Sequence, residues 1–449
     1  MRSSFLAPYL RSNQFLSLAG NITVSGLTIV STSLLFRGLP TADIGTWVFF
    51  LTLTGFGEAF RQGYLSTGLI RGYAGATPGR QQQVLGSAWV LALGLTLALA
   101  GLTLAARWSA LAHVASLELF VRWFPLTFLL TLPSFMASCR QQAEQQFGRL
   151  LVLRLLTQGT FIGGIAGLML SGRLSLASVV GCHLAAAAVT SAVALLAGWS
   201  GLRVLRCRTA GTTRELAHFG KFSVGSYIGA YLLRSSDTVL INLLLGPAAL
   251  AVYNLAQRFL EVIEIPLRSF MATAIPRLAA AMNQQNRPLL ALVFQQNAGL
   301  LTWLLLPLVL GTVLLAEVPV YLVGGSQYVD SEAANVLRMA VALALFYPID
   351  RFTGVTLDVL GLPHLNLYKV LLMVVVNVAG DWAGIRLCGN LYGVAFASLP
   401  TMLTGFVFGY LLLKRELPLS LAGTLRVGLM EGRTMLRRLT AAAHAAYPL

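Results

Sequence analysis

The chain has 449 residues, of which 56% are hydrophobic and only 11% are charged, and its mean hydropathy is +0.74. Soluble globular domains carry about 25% charged residues, so this composition excludes a soluble globule. The formal net charge of +16 would fit nucleic acid binding, unless the basic residues are distributed as membrane topology requires. We predict an all-α polytopic membrane protein.

Hydrophobic runs long enough to cross the hydrocarbon core as a helix recur along the whole chain. They predict about twelve transmembrane helices on a sliding-window rule. These runs lie near residues 14–36, 44–69, 84–106, 119–138, 150–170, 175–199, 222–245, 250–275, 291–315, 333–360, 368–388 and 391–413.

The basic residues are distributed unevenly between the two sides of these spans. With both termini in the cytoplasm, 20 of the 32 Lys and Arg residues lie on the cytoplasmic side, including Lys369 at the start of its span. Only 4 lie at the outer side, and the remaining 8 lie within spans. This asymmetry follows the positive-inside rule, so most of the net charge reflects topology and we expect no nucleic acid partner.

A weak internal repeat divides the chain into halves. Leu39–Arg71 resembles the segment 206 or 207 residues later, which places Pro40 on Pro247 and Glu58 on Glu264. Short helical hairpins can also resemble one another by chance. The repeat predicts two six-helix bundles around a central cavity, related by an axis along the membrane normal. The corresponding domains are an N-terminal lobe at 1–199, a cytoplasmic linker at 200–221, a C-terminal lobe at 222–415 and a basic cytoplasmic tail at 416–449.

The tail has two alternative interpretations. As a helix it would group leucines on one face beside arginines, which is typical of a segment lying along the anionic inner leaflet. Its three glycines disfavour a helix, so a disordered tail is the alternative. The leucines of this face are Leu421, Leu425, Leu429 and Leu436, and the arginines beside it are Arg426, Arg433 and Arg437. The glycines are Gly423, Gly428 and Gly432.

No motif in the chain indicates catalysis. The phosphate-binding pattern GxxxxGK[ST] is absent, and the cysteines and histidines have neither disulfide nor metal-ligand spacing. No Ser/His/Asp or Cys/His arrangement is recognisable. We therefore predict a transport protein that is not an enzyme and that uses no metal or cofactor.

Charged residues inside the spans carry the remaining information. Each would cost about 2.5 to 3.5 kcal/mol at a helix centre facing lipid, so each should face protein or water. Eight arginines and seven acidic residues could form structural pairs such as Glu58 with Arg61. In the first half, however, Glu58 alone opposes Arg61, Arg122 and Arg154. The excess guanidinium charge suits a phosphate through forked hydrogen bonds.

The middle of the chain concentrates the other charges. The span near 222–245 contains Arg234 and Asp237. The next span contains Arg258, Glu261, Glu264 and Arg268, which fall within an arc of about 120° on a helix and can therefore pair with one another.

Several short motifs resemble one transporter family. Asp237-Thr-Val-Leu-Ile, Leu245-Gly-Pro, Val252-Tyr-Asn-Leu-Ala and Ala274-Ile-Pro-Arg are similar to its seventh and eighth helices. Leu35-Phe-Arg-Gly-Leu-Pro and Ile44-Gly-Thr-Trp resemble its first two helices. The family is the polysaccharide-transport (O-antigen flippase type) family of the multidrug/oligosaccharidyl-lipid/polysaccharide exporter superfamily. Lipid II flippase relatives have fourteen spans, and this chain has about twelve.

The resemblance implies alternating access and a polyprenyl-pyrophosphate-linked oligosaccharide as substrate, in a bacterial inner membrane. It also implies membrane lipids as surroundings and a polysaccharide polymerase or glycosyltransferases as candidate protein partners. Among the charges on matching helices, it points chiefly to Arg258 and Glu264. The substrate-binding candidates are Arg61, Arg122, Arg154, Arg234, Arg258 and Arg268, and the coupling candidates are Asp237 and Glu264.

The sequence leaves two alternatives open. A cation-coupled exporter of drugs or small metabolites would share the architecture, but a cationic drug would prefer unpaired carboxylates and aromatic walls. A membrane scaffold or polymerase partner that transports nothing would need no charged interior.

Overall fold

The computed structural model describes residues 13–73, 75–107 and 115–446. Every regular element in these ranges is helical, so the prediction of an all-α polytopic membrane protein is confirmed. The two chain ends, which we predict to be cytoplasmic, include residues 1–12 and 447–449, and these lie outside the described ranges. The chain divides into two compact units, Met1–Ala251 and Val252–Leu449.

The first unit is built from helices joined by short turns. A π-helical turn, Gln62–Ser66, connects α2 directly to α3. The last helix of the list begins in this unit and continues into the second. The helices are α1 (Asn13–Gly38), α2 (Thr41–Arg61), α3 (Thr67–Tyr73), α4 (Pro78–Ala106), α5 (Ala115–Leu130), α6 (Leu132–Ala143), α7 (Phe147–Leu170), α8 (Leu176–Leu196), α9 (Ala210–Leu244) and α10 (Pro247–Asn283).

The second unit has long helices whose ends follow local sequence signals. Asn286 caps the first of them by accepting a hydrogen bond from Leu289 N at 2.9 Å, and Gly389, at φ 68°, ends α15 in the left-handed region. The helices are α11 (Arg287–Leu314), α12 (Glu317–Gly324), α13 (Ala333–Leu343), α14 (Tyr347–Val359), α15 (Pro363–Cys388), α16 (Leu391–Glu416) and α17 (Leu421–Ala446).

Seven helical segments of the described chain are long and apolar enough to cross a membrane. The number becomes eight if α5 and α6, which are bent by 47° at their junction, count as one broken span. All of these segments coincide with predicted spans. The other four predicted spans fall on α1, α2, α9 and α10, and α2, α9 and α10 carry charged residues within their predicted spans. The count of about twelve stays a prediction.

Glycines allow α2 and the turn after it to approach α9 closely. A Cβ atom at Gly55 would lie 2.0 Å from the hydroxyl oxygen of Tyr231, which donates a hydrogen bond to Thr52 O at 2.9 Å. A Cβ atom at Gly220 would lie 2.4 Å from Tyr64 O. Any larger side chain would therefore push the two helices apart, and this contact fixes the position of α2.

Residues 200–221, which we predicted to be a linker, are anchored to α4. The indole nitrogen of Trp89 donates to Ser200 O at 2.9 Å, and a guanidinium nitrogen of Arg80 donates to Thr212 Oγ1 at 2.7 Å. From residue 210 onward the segment forms the first turns of α9. The boundary between the compact units falls later, after Ala251, and the division into two six-helix lobes stays a prediction.

Residues 421–446 of the predicted tail form α17, which packs against α11. Its three glycines, which disfavour an isolated helix, lie along the surface that α11 contacts. Packing in the second unit therefore compensates for the low helix propensity.

Candidate functional site

Arg61 lies at the end of α2, where the π-helical turn begins. One guanidinium nitrogen donates to Phe128 O at 3.1 Å. The other donates to Glu58 Oε1 at 2.5 Å and to Thr131 Oγ1 at 3.0 Å. π-Helical turns are frequent at functional sites, because the extra residue redirects side chains along the helix. Here the turn ends the regular part of α2 beside the ion pair of Glu58 and Arg61.

Two aromatic rings enclose the same guanidinium group. Its central carbon lies 4.3 Å from the centroid of Phe128 and 4.5 Å from that of Phe135, within the range of cation–π attraction. The side chain of Arg61 is 1% exposed, whereas that of Glu58 is 36% exposed. In this structure Arg61 therefore holds the Glu58 carboxylate in place, and little of its own surface is open to a ligand.

A cavity of about 290 Å³ lies beside this ion pair, within the first unit. Ligand pockets in proteins usually have volumes of about 300 to 1,000 Å³, so this cavity could hold a small group but no oligosaccharide. Side chains from α2, the π-helical turn, α6, α7 and α8, and from the bend between α5 and α6, line it. They are Glu58, Arg61, Gln62, Thr131, Ser134, Phe135, Ser138, Cys139, Gln142, Leu150, Leu153, Arg154, Thr157 and Thr190.

The charges and hydroxyl groups of the cavity favour an anion. Two arginines, Arg61 and Arg154, and one acid, Glu58, line it, so the formal charge is positive. The hydroxyl groups of Thr157 and Thr190 lie 2.9 Å apart. Hydroxyl groups can donate to phosphate oxygens, and arginine matches the geometry of phosphate with its two aligned N–H groups. The structure thus brings together two of the predicted site residues, Arg61 and Arg154, around one cavity.

The other predicted residues of the first unit lie outside this cavity. Arg122 is exposed on α5, and its guanidinium carbon lies 5.3 Å from the centroid of Trp123. Arg234 is exposed on α9, and Asp237, three residues later, is half-buried. The substrate contacts of Arg122 and Arg234 and the coupling role of Asp237 stay predictions.

The predicted charged face of α10 contains ion pairs in the second unit. Arg258 lies 3.3 Å from Glu261, and Arg268 lies 2.7 Å from Glu264. Arg351 on α14 is a further cation near this face, 3.9 Å from Glu264. Sequence spacing predicted the pairing within the helix, but it could not predict the contribution of α14.

Sequence analysis missed one buried ion pair. The Nζ atom of Lys369 on α15 lies 2.8 Å from Asp350 Oδ1 on α14, and both side chains are almost fully buried. The sequence predicts Lys369 to be a cytoplasmic residue, because it lies at the start of its predicted span. Gly405 and Gly409 of α16, four residues apart, leave room for the pair. This spacing of glycines is the sequence signal that could have indicated a close contact here.

Metal binding has no support in the described residues. These ranges contain no group of three or more His, Cys, Asp or Glu residues that could hold a metal ion.

Comparison with known proteins gives a family and a fold. A family model described as "polysaccharide biosynthesis protein" matches residues 34–333. No curated protein sequence matches the chain.

Three solved structures are similar in fold. An inward-facing multidrug resistance MATE family transporter of the MOP superfamily has a TM-score of 0.73 at 16% identity, covering 87% of this chain and 95% of its own. The lipid II flippase MurJ in an inward closed conformation has a TM-score of 0.73 at 13% identity, and the match covers 93% of this chain and 90% of the MurJ chain. A MOP superfamily transporter from Pyrococcus furiosus has a TM-score of 0.60 at 17% identity, and the match covers 88% of this chain and 93% of that transporter. At these identities the likeness shows the fold.

Proposed function

Because the chain belongs to the polysaccharide biosynthesis protein family and has the fold of MOP superfamily transporters, we propose that it is a lipid-linked oligosaccharide flippase. It moves a polyprenyl-pyrophosphate-linked oligosaccharide from the cytoplasmic to the outer leaflet of a bacterial inner membrane by alternating access. The chain is a transporter rather than an enzyme.

The observation that carries this proposal is the positively charged cavity in the first unit. Arg154 and the hydroxyl groups of the lining residues would contact the pyrophosphate. Arg61 would act as a positioning residue, because it is enclosed by Phe128 and Phe135 and holds Glu58. The sugars would remain outside the cavity, which is too small for them, and the polyprenyl chain would remain in the lipid.

The same cavity disfavours the alternative of a cation-coupled drug exporter. A site for a cationic drug needs a carboxylate whose charge is available. Glu58, the carboxylate lining this cavity, lies 2.5 Å from a guanidinium nitrogen of Arg61 and is neutralised by it. A lipophilic cation would therefore meet net positive charge here.

The test compares two arginines on the same helix. Arg154 lines the cavity, whereas Arg149, five residues earlier on α7, is exposed and lies 5.7 Å from the ring of Trp199. In proteoliposomes, Arg154→Ala should slow flipping of a fluorescent polyprenyl-pyrophosphate oligosaccharide on the order of tenfold or more. This is the effect expected from the loss of a charge-assisted hydrogen bond, which is worth about 1.5 to 3 kcal/mol. Arg149→Ala should flip at the wild-type rate.

Equal rates for Arg154→Ala and the wild type, at equal incorporation of folded protein, would remove the cavity from the substrate path. Transport of a lipophilic cation without flipping would favour the drug exporter.

A further inference from the structure

Helices α11 and α17 touch through two glycines. A Cβ atom at Gly299 would lie 2.1 Å from Thr424 O, and a Cβ atom at Gly428 would lie 2.1 Å from the carbonyl carbon of Gly299. The backbones therefore approach as closely as helices can, and any side chain at either position would separate them. This close approach fixes α17 at one height along α11.

Hydrogen bonds extend the contact on both sides of the glycines. The indole nitrogen of Trp303 donates to Leu425 O at 2.9 Å, and the side-chain amide of Gln296 donates to Glu431 Oε2 at 3.4 Å. The contact thus covers about two turns of each helix. It is a built interface, so α17 is a fixed part of the second unit.

Three consecutive polar residues of α11 lie next to the contact, between the apolar residues 288–294 and a longer apolar stretch. Gln295, Gln296 and Asn297 precede an uncharged stretch of 18 residues, Ala298–Leu315. As a helix this stretch is about 27 Å long, close to the roughly 30 Å thickness of the hydrocarbon core. Gly299 therefore lies toward the cytoplasmic boundary of the span that the sequence predicts at 291–315, on the side where the positive-inside rule places the cytoplasm. Since Gly428 touches Gly299, α17 lies at the same boundary.

The face of α17 that points away from α11 is basic. On a helix turning about 100° per residue, Arg426, Arg433 and Arg437 fall within an arc of about 40°, roughly opposite to Gly428. Arg426 and Arg433 are exposed. Leu425 lies between the glycine face and the arginines, as expected for a helix that is apolar on one side and basic on the other.

We propose that α17 is a membrane-surface helix whose arginine stripe binds the phosphate groups of anionic phospholipids in the cytoplasmic leaflet. Its position toward the cytoplasmic boundary of the predicted span places the arginines near headgroup depth, and their charge complements that leaflet. The inference depends on the predicted orientation of the chain, and it is independent of which substrate is flipped.

Chemical modification of arginine tests the proposal on the intact wild-type protein. The protein is placed in nanodiscs of phosphatidylcholine alone or with phosphatidylglycerol, and phenylglyoxal modification at each arginine is followed by mass spectrometry. With phosphatidylglycerol, modification of Arg426 and Arg433 should slow by roughly threefold or more, because an arginine near an anionic surface gains about a fivefold preference for it. Arg149, which is exposed but packs against Trp199, serves as the internal control and should change less.

Two results would overturn the proposal. Equal modification of Arg426 and Arg433 in the two kinds of nanodisc would show that the stripe does not contact anionic lipid. Equal protection by inorganic phosphate in phosphatidylcholine nanodiscs would assign the stripe to free phosphate instead. Because neither result depends on transport, failure here is distinguishable from failure of the proposed flippase activity.

Discussion

Replacing Asp350 with asparagine should destabilise the second unit strongly, because this residue neutralises a buried lysine. Asp350 and Lys369 are 6% and 3% exposed, and the ammonium nitrogen lies 2.8 Å from Oδ1 and 3.2 Å from the backbone oxygen of Asp350. A Cβ atom at Gly405 would lie 2.8 Å from Asp350 Oδ1, and one at Gly409 would lie 2.9 Å from Lys369 Cδ. The surroundings are too tightly packed for the ammonium group to reach water by a small movement.

The expected magnitude follows from this burial. Asp350→Asn leaves one charge buried without its partner, which costs about 3 to 5 kcal/mol. The double variant Asp350→Asn with Lys369→Met removes both charges and should recover most of that loss, because a buried ion pair and neutral groups of similar size give similar stability. The exposed pair of Arg338 and Glu317, 2.9 Å apart with side chains 32% and 65% exposed, is the control. Glu317→Gln should cost about 0 to 1 kcal/mol.

The assay is thermal unfolding of the purified variants in detergent, together with the yield of monodisperse protein. The apparent melting temperature should fall most for Asp350→Asn, recover in the double variant and remain near wild type for Glu317→Gln. If Asp350→Asn melted at the same temperature as Glu317→Gln, the pair would be solvated and the reasoning from burial would be refuted. A double variant no more stable than Asp350→Asn would show that the lost stability comes from packing rather than charge.

Three further predictions concern charge and topology. Arg234→Lys should keep partial flipping and Arg234→Ala should lose it by on the order of tenfold, since lysine offers a point charge in place of a fork; full activity of Arg234→Ala at normal abundance would exclude this residue from the site. Exchanging Glu264 and Arg268 should restore only part of the activity that either single charge loss removes, because the new arginine would face Arg351, 3.9 Å from the present carboxylate; complete restoration would contradict a contribution from α14. Single cysteines introduced into residues 200–221 should react with impermeant reagents only from the cytoplasmic side. Labelling from the periplasm of intact cells would contradict the predicted topology.

The sequence was sufficient for the class, the family and most of the helices. Composition and apolar runs depend only on local residues and on bilayer thickness, so they predicted the candidate spans. The pairs of Glu58 with Arg61 and of Glu264 with Arg268 follow from helical spacing of three and four residues, and both are present. The family motifs added the relation to a polysaccharide family, and the match to the "polysaccharide biosynthesis protein" family confirms that relation.

The roles of individual arginines could not be predicted, because they depend on contacts between distant segments. Arg61 is enclosed by Phe128, Phe135 and Thr131, which are 67 to 74 residues away in the chain. Arg154 lines the same cavity, although nothing local distinguishes it from Arg122, which is exposed. Exposure to lipid would cost each of these three arginines a similar free energy, so each is expected to face protein or water. This cost does not predict which of the two environments a given arginine has.

The buried lysine illustrates the same limit. Lys369 lies at the first turns of its helix, where sequence rules place solvated basic residues. Its burial depends on Asp350, 19 residues earlier, and on the two glycines of α16 that leave space for it. Only the packing of three helices reveals such a pair.

The most direct test of the flippase proposal compares two lipids in proteoliposomes that contain the wild-type protein. The same fluorescent oligosaccharide is attached either to polyprenyl pyrophosphate or to an uncharged polyprenyl ether, and its exposure is read with an impermeant quencher. Recognition of the pyrophosphate by the cationic cavity predicts protein-dependent flipping of the first lipid at a rate on the order of tenfold or more above that of the second. Equal rates for the two lipids, or no protein-dependent flipping of either, would contradict the account.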